Sequence, residues 1–252
     1  MLGLGTSIIK ANLYQSLTDA ALFDGTNDFI TVSDHDDLSF TSSTGFGISV
    51  WINLNSQGEV ATGLDAVSSF GNGILSKNEE YDLNVRYISS VNKTQFEFYV
   101  YDKSADKLHL GITVFPSFPL NQWVHIIAEY DTSKNVNVYV NNDTSLNTGE
   151  NNQEGFVDLE NTNADLFIGK AFFTGKTDPL HTSGLIKNLC IYSGNLSSTE
   201  KTNVYNATQT GIFTNFVNNT IVAYYPLISN INDVSGNNHN GSSADGQLPT
   251  FI

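Results

Sequence analysis

The side chains able to do chemistry are scattered along this chain, and their spacing excludes most reaction types. Five histidines, His35, His109, His125, His181 and His239, lie far apart and show no ligand spacing. Asp34-His35-Asp36-Asp37 gathers acids around one imidazole. A transition-metal site needs more converging ligands, so this run reads as a solvated loop. His125 falls within an apolar strand pattern and reads as a structural histidine. The only cysteine, Cys190, excludes an internal disulfide framework and a multi-cysteine metal cluster. It also lies in a strand pattern, as a small buried hydrophobe would. No G-x-S-x-G elbow offers a serine nucleophile, and no G-x-G-x-x-G or P-loop pattern offers a nucleotide site. Two groups of donors remain. Asp24, Asn27 and Asp28 cluster oxygen atoms on a tight turn. Either they hold a cation, or Asp24 bonds the backbone amides of an Asx turn around Gly25. Tyr99, Tyr101, Tyr139 and Trp51 lie on strand faces opposite the aliphatic side. Exposed, they would stack on sugar rings; buried, they are core. The pattern assigns Trp51 to the core and leaves the tyrosines open.

The elements that must position these groups are strands. Phe46, Ile48, Val50 and Ile52 alternate with Gly47, Ser49 and Trp51; Phe96, Phe98 and Val100 alternate with Glu97, Tyr99 and Tyr101. Such period-two runs of 5–8 residues, bounded by Gly, Asn, Asp or Ser, are the strand signature. Residues 123–130 are apolar on both faces until Glu129, which places them centrally. Asp131-Thr132-Ser133-Lys134 then reads as a hairpin loop to residues 135–141. The strongest helix signal is Ser197-Ser198-Thr199-Glu200, a capping box that predicts about two helical turns. Residues 145–165 and 229–250 read as loop. Many short strands with almost no helix imply an all-β sandwich.

Bulk properties set the outer limits. The chain has 252 residues, enough for one large β domain with a core that needs no disulfides. Only 15% of residues are charged, and a formal net charge of −15 argues against nucleic-acid or anionic-membrane partners. The first residues, MLGLGTSIIKANLYQSL, lack a basic region and a long apolar stretch, so no secretory signal is expected. No run reaches the ~18 apolar residues of a membrane span.

Seven segments, in order, carry a family resemblance. Phe23-Asp24-Gly25-Thr26-Asn27-Asp28-Phe29-Ile30-Thr31-Val32 resembles the opening strand of the laminin-G-like, concanavalin A-like jelly rolls. Leu38-Ser39-Phe40 and Phe46 through Ile52 resemble the next strand pair, with the tryptophan in place. Gly73-Ile74-Leu75-Ser76-Lys77, Gln122-Trp123-Val124-His125 and Val138-Tyr139-Val140-Asn141 resemble three further strands. Gly184-Leu185-Ile186 through Ile191-Tyr192, with Leu196-Ser197 and Glu200, resembles a seventh segment. The matches span roughly residues 21–206. Ala223-Tyr224-Tyr225-Pro226-Leu227 and Asp233 through Gly241 resemble a segment that usually precedes the opening strand. Here they come last. That layout is similar to laminin-G-like virion proteins of tailed, especially marine, bacteriophages.

The resemblance implies an antiparallel jelly-roll sandwich over residues 21–252. Residues 221–252 form a closing segment, and residues 1–20 form an N-terminal arm or first strand. It implies a non-enzymatic virion protein, in capsid decoration or a fibre, made in the host cytoplasm without a signal peptide. Its partners would be other virion proteins, copies of itself and host surface glycans. The alternative is a lectin or adhesin, with Tyr99, Tyr101 and Tyr139 on the sugar. A polysaccharide hydrolase comes last. Glucanases of this fold carry E-x-D-x-x-E, whereas here Glu129-Tyr130-Asp131 is followed by Lys134 where the final acid should stand. Glu129 then reads as a solvent-facing strand end. Relatives hold Ca2+ near the opening strand, which implies a site from Asp24, Asn27, Asp28 and Asn188. Lys187 and Asn188 replace acids of that family pattern.

Overall fold

A computed structural model describes residues 19–60, 69–143, 147–172, 179–209, 220–244 and 246–252. The expected arm lies outside these residues, except for Asp19 and Ala20. In chain order the strands are β1 (Ala21–Asp24), β2 (Ile30–Val32), β3 (Phe46–Leu54), β4 (Glu59–Val60), β5 (Ser69–Lys77) and β6 (Tyr81–Ile88). They continue with β7 (Lys93–Asp102), β8 (Lys107–Phe115), β9 (Val124–Tyr130), β10 (Val136–Val140), β11 (Asn147–Asn152) and β12 (Leu166–Ile168). The last are β13 (Lys170–Ala171), β14 (Leu180–His181), β15 (Ser183–Ser193), β16 (Ile221–Tyr225), β17 (Gly241–Ser242) and β18 (Thr250–Phe251). One helix, α1 (Ser198–Gln209), follows β15. Among the described residues no helix is long and apolar enough to cross a membrane.

The strands form an antiparallel sandwich. A seven-stranded sheet runs β10-β9-β3-β15-β1-β18, with β16 also on β15. A nine-stranded sheet runs β11-β8-β7-β6-β5-β12-β2-β17, with β4 also on β5. The period-two residues face each other across the interior. Ile48, Val50, Ile126 and Val138 come from one sheet, and Leu83, Val85, Phe96 and Phe98 from the other; all are fully buried. Strands β16, β17 and β18 carry the C-terminal segment into both sheets.

The expected hairpin forms, with Val136 opposite Tyr130. Asp131 closes its loop by accepting the amides of Ser133 (2.8 Å) and Asn135 (2.9 Å). The capping box also forms. The Ser197 amide donates to Glu200 Oε2 (2.7 Å), and the Glu200 amide donates to Ser197 Oγ (3.3 Å). The helix runs 12 residues, longer than two turns, because its length comes from packing. Val204 joins Ile127, Cys190, Tyr192, Leu196 and Tyr224 in a second core on the outer face of the seven-stranded sheet. A polar strand, β11, lies within the expected loop 145–165; its Asn- and Glu-rich composition shows no alternation.

Glu129 corrects the sequence reading. It is 2% exposed, on the face that α1 covers. Its carboxylate accepts from the Tyr192 hydroxyl (3.1 Å) and the Leu196 amide (2.7 Å), and pairs with Lys201 Nζ (2.7 Å). One buried acid thus fixes the start of α1 to the sheet. His125 and Trp51 lie on the same face. Trp51 is buried against His125 and Tyr205, outside the main core, with ring centroids 4.9 and 5.4 Å away. His125 Nε2 meets Ser49 Oγ at 2.8 Å, and burial pushes its imidazole down to about 3, so it stays neutral. Burial likewise raises the Cys190 thiol well above its ordinary range, which makes it inert as a nucleophile.

Removing one partner of a buried ion pair leaves the other charge uncompensated. We therefore expect Glu129→Ala to lower stability by about 3–5 kcal/mol, because Lys201 keeps the Leu196 carbonyl but loses its buried counter-charge. Urea unfolding measures this, and a loss under about 1 kcal/mol would contradict the anchoring role.

Candidate functional site

The sandwich has two outer faces, and they differ in kind. The seven-stranded sheet is closed by α1, with its acid satisfied by three donors. The nine-stranded sheet presents Asp82, Asn84 and Arg86 from β6, and Gln95, Glu97, Tyr99 and Tyr101 from β7. Cross-strand register sets Asp82 opposite Tyr99, Asn84 opposite Glu97 and Arg86 opposite Gln95. Leu110 and Ile112 of β8 lie opposite Tyr99 and Glu97. Residues two apart share a face, so the alternation that buries Phe96 and Phe98 also assembles this polar row.

The row is unusual because it is buried. Asn84 and Glu97 are 0% exposed and Asp82 is 1% exposed. One cover comes from the short ribbon β13–β14. Gly169 and Thr182 anchor it, their amides donating to Ile74 O and Gly169 O (both 2.8 Å). Leu180 of this ribbon packs on Tyr99 and Leu110. A Cβ on Gly73 would lie 2.3 Å from the Ala171 nitrogen and the Leu180 oxygen, so only glycine admits the ribbon here.

Charge in this setting must be paired or neutralised. Glu97 Oε1 lies 3.0 Å from Arg86 Nε, and its Oε2 accepts the Tyr99 hydroxyl at 3.0 Å. Arg86 also holds Gln95 Oε1 (2.6 Å). Burial raises the Glu97 carboxyl, while Arg86 and Tyr99 draw it back. Asp82 accepts the Tyr101 hydroxyl at 2.9 Å. Burial pushes its carboxyl up to about 7, with the Ser76 and Tyr101 hydroxyls acting the other way. Among the described residues, neither atom of the Asn84 amide has a hydrogen-bond partner. A buried amide without a partner forfeits about 1–3 kcal/mol per group.

The structure brings Tyr99 and Tyr101 together, with ring centroids 6.2 Å apart and planes within 11°. Tyr99 is only 8% exposed, while Tyr101 keeps more of its surface. Tyr139 lies on the other sheet, on β10, where Lys201 Nζ sits 4.7 Å from its ring centroid. It shares no surface row with the other two.

The four residues suggested for Ca2+ do not converge. Asp24 Oδ1 accepts the amides of Thr26 (2.8 Å), Asn27 (3.1 Å) and Asp28 (3.2 Å), the geometry of an Asx turn. Asp28 Oδ2 accepts the Asp24 amide (3.0 Å). Asn188 stands at a bulge of β15 with φ 49°, a conformation asparagine tolerates. Its Oδ1 accepts the Tyr224 hydroxyl at 3.0 Å. Strand pairing puts Asp24 beside Ser183, five residues and roughly 17 Å along the strand from Asn188. A calcium ion needs six to eight converging oxygens, and Asn188 does not join the other three residues in one cage.

Sequence reasoning found Tyr99 and Tyr101 but missed Asp82, Asn84, Arg86 and Glu97. The alternation of β7 already carried Glu97. The partners on β6 were hidden because pairing across strands leaves no mark in spacing along the chain.

A sequence profile of the concanavalin A-like lectin/glucanases superfamily matches residues 24–200. No curated protein matches the chain. Among solved structures, the binding domain of botulinum neurotoxin serotype G aligns with a TM-score of 0.52 at 16% identity, covering 75% of this chain and 42% of that one. The enzymatically active domain of tailspike protein 2 from bacteriophage CBA120 aligns at 0.47 and 10% identity, covering 86% and 34%. Domains LG4-5 of the mouse laminin α1 chain align at 0.43 and 11% identity, covering 68% and 41%. The chain therefore spans less than half the length of each of these structures. At such identities the likeness is one of fold.

The raised Asp82 carboxyl predicts a pH signature. Its ordinary value is 3.8 and its folded value about 7. Well below pH 4, under about pH 3, the residue is neutral in both states and costs nothing. As pH rises from about 4 to about 7 the unfolded chain ionises first, so stability falls, and the full cost persists above 7. Asp82→Asn removes this slope. Between about pH 4 and pH 8 the variant should gain on the order of 2–4 kcal/mol on the wild type in urea unfolding. A difference independent of pH would contradict the assignment.

Proposed function

The chain belongs to the concanavalin A-like lectin/glucanase superfamily, and from that premise we propose that it is a carbohydrate-binding module that uses the outer face of its nine-stranded sheet. The observation that carries this reading is the partly exposed strip of Tyr101, Leu108 and Ile112, set beside the Arg86–Glu97 pair on the same sheet. Asn84 and Glu97 are fully buried, so they stiffen this face from beneath rather than touch a ligand. Tyr101, Leu108 and Ile112 keep part of their surface exposed along the same strands. They offer an aromatic and aliphatic strip for the apolar face of a pyranose ring. Tyr99 acts through Glu97, whose orientation its hydroxyl fixes. On the other outer face, α1 covers the sheet and Lys201 pairs the buried acid Glu129.

The sequence resemblance extends the proposal to a tailed-phage particle. There the module would hold host surface glycans, pack against other virion proteins and assemble with copies of itself. Mass spectrometry of purified particles tests that placement, and absence of the chain from them removes it. One observation favours a second, hydrolytic reading. Asp82 titrates near neutral pH, as a general acid does, and stands diagonally across the ladder from Glu97, at about 7–8 Å by strand geometry. Release of reducing ends from a bound polysaccharide, lost in Asp82→Asn, would establish it.

The binding proposal is tested on a broad glycan and polysaccharide array. Specific hits are expected for the wild type. Tyr101→Ala should weaken the best hit about tenfold, or ~1.4 kcal/mol. Tyr139→Ala should leave it unchanged. Equal weakening by Tyr139→Ala, or hits indifferent to Tyr101, would overturn the assignment of this face.

A further inference from the structure

Two segments distant in sequence meet at the β2–β17 edge of the nine-stranded sheet. The link from β2 to β3 brings His35 and Asp37; the segment between β16 and β17 brings His239. One ligand atom from each lies within 4.8 Å of the other two. Asp37 Oδ2 is 3.5 Å from His35 Nδ1 and 3.8 Å from His239 Nε2. The two imidazole rings meet edge-on, with centroids 4.7 Å apart and planes at 61°. The sequence concealed this meeting, since the two histidines stand 204 positions apart in the chain.

The three side chains are held with unequal firmness. His35 precedes a short 3-10 turn, Asp36–Leu38, and its Nδ1 accepts the Asp37 amide at 3.2 Å; that nitrogen is thus unprotonated, and a metal bound there replaces this hydrogen bond. His239 is fixed through its backbone. Its amide donates to Asp233 Oδ2 (3.0 Å) and its carbonyl accepts the buried Tyr225 hydroxyl (2.6 Å). The Asp233 carboxylate is itself held by the Tyr224 amide (2.9 Å). The His239 side chain is only 4% exposed, yet its Nε2 has no hydrogen-bond partner among the described residues. A buried imidazole nitrogen turned toward a carboxylate and a second imidazole, without a bond to either, is a ligand arrangement more than a structural one.

We propose that His35, Asp37 and His239 bind a divalent transition metal of the zinc class. Two imidazole nitrogens with one carboxylate oxygen suit zinc and exclude calcium or magnesium, which take oxygen ligands. Bonds of about 2.0–2.1 Å in a tetrahedron set ligand atoms roughly 3.3 Å apart. The spacings here exceed that by a few tenths of an ångström at Asp37, within reach of two exposed side chains on a short turn. Water completes the fourth position. The metal then clips the C-terminal segment to the β2–β3 link. His239 is the rigid member, while His35 and Asp37 close on it.

The test is zinc titration of the full chain after metal stripping, followed by calorimetry, with thermal melting alongside. The wild type should bind one Zn2+ per chain and melt higher with zinc. His35→Ala and Asp37→Asn, at side chains 54% and 60% exposed, should melt like the wild type without metal. They should weaken zinc binding about tenfold or more and lose the melting shift. Millimolar Ca2+ should not compete. With Co2+ as probe, the wild type should show the visible absorption of a nitrogen-ligated, four-coordinate ion. Equal zinc affinity in all three proteins would mean adventitious binding to a surface of net charge −15 and would overturn the proposal. So would the absence of any zinc binding. If a variant melts lower without metal, the wild-type cobalt spectrum decides, and an all-oxygen spectrum overturns the site.

Discussion

Charge taken out of water must be paired, bonded or neutralised, and this constraint organises both outer faces of the sandwich. On the seven-stranded sheet it is met at Glu129. Glu129 holds Lys201, the Tyr192 hydroxyl and the Leu196 amide, and the helix that covers it is fixed as a result. On the nine-stranded sheet it is met in part. Glu97 is paired with Arg86, Asp82 is driven toward its neutral form, and Asn84 keeps an unmatched amide. The sandwich interior is apolar and would serve many functions equally well. Function separates from fold at the point where polar groups are buried without full satisfaction.

The same logic explains why the two faces accept different covers. Apolar and aromatic side chains such as Ile127, Tyr192 and Val204 let α1 lie flat on the seven-stranded sheet. The nine-stranded sheet takes a two-stranded ribbon, admitted by Gly73 and tied down by Thr182, whose hydroxyl donates to the Gly73 carbonyl (2.5 Å). That ribbon leaves Tyr101 and Ile112 with part of their surface exposed. A binding face needs both a rigid polar row and an approach to it, and strands β6, β7 and β8 provide the two together.

Much of the fold was legible in the chain because alternation is a local property. Phe96, Phe98 and Val100 point inward as their spacing requires, the loop at Asp131 forms as its composition requires, and Ser197 with Glu200 caps the helix. What failed to show were contacts made across the fold. Glu129 looked exposed because α1 and Tyr192, which bury it, arrive more than sixty residues later in the chain. Asp24 and Asn188 looked like partners in a family pattern, but strand register sets them at different places along β15. Half of the polar row was visible as Glu97, Tyr99 and Tyr101. The other half, on β6, became meaningful only through register, which depends on turns and bulges that composition does not specify. Likewise His35 and His239 are unrelated along the sequence and adjacent in space.

The claim most exposed to test is that the outer face of β6, β7 and β8 is where a glycan is held. Amide chemical-shift mapping, with an oligosaccharide that binds added to isotopically labelled protein, locates the contact directly. The account predicts the largest shifts at Asp82–Arg86 and Gln95–Tyr101, with α1 and β10 undisturbed. Shifts centred on α1 and Tyr139, or confined to the turn at Asp24–Asp28, would contradict it.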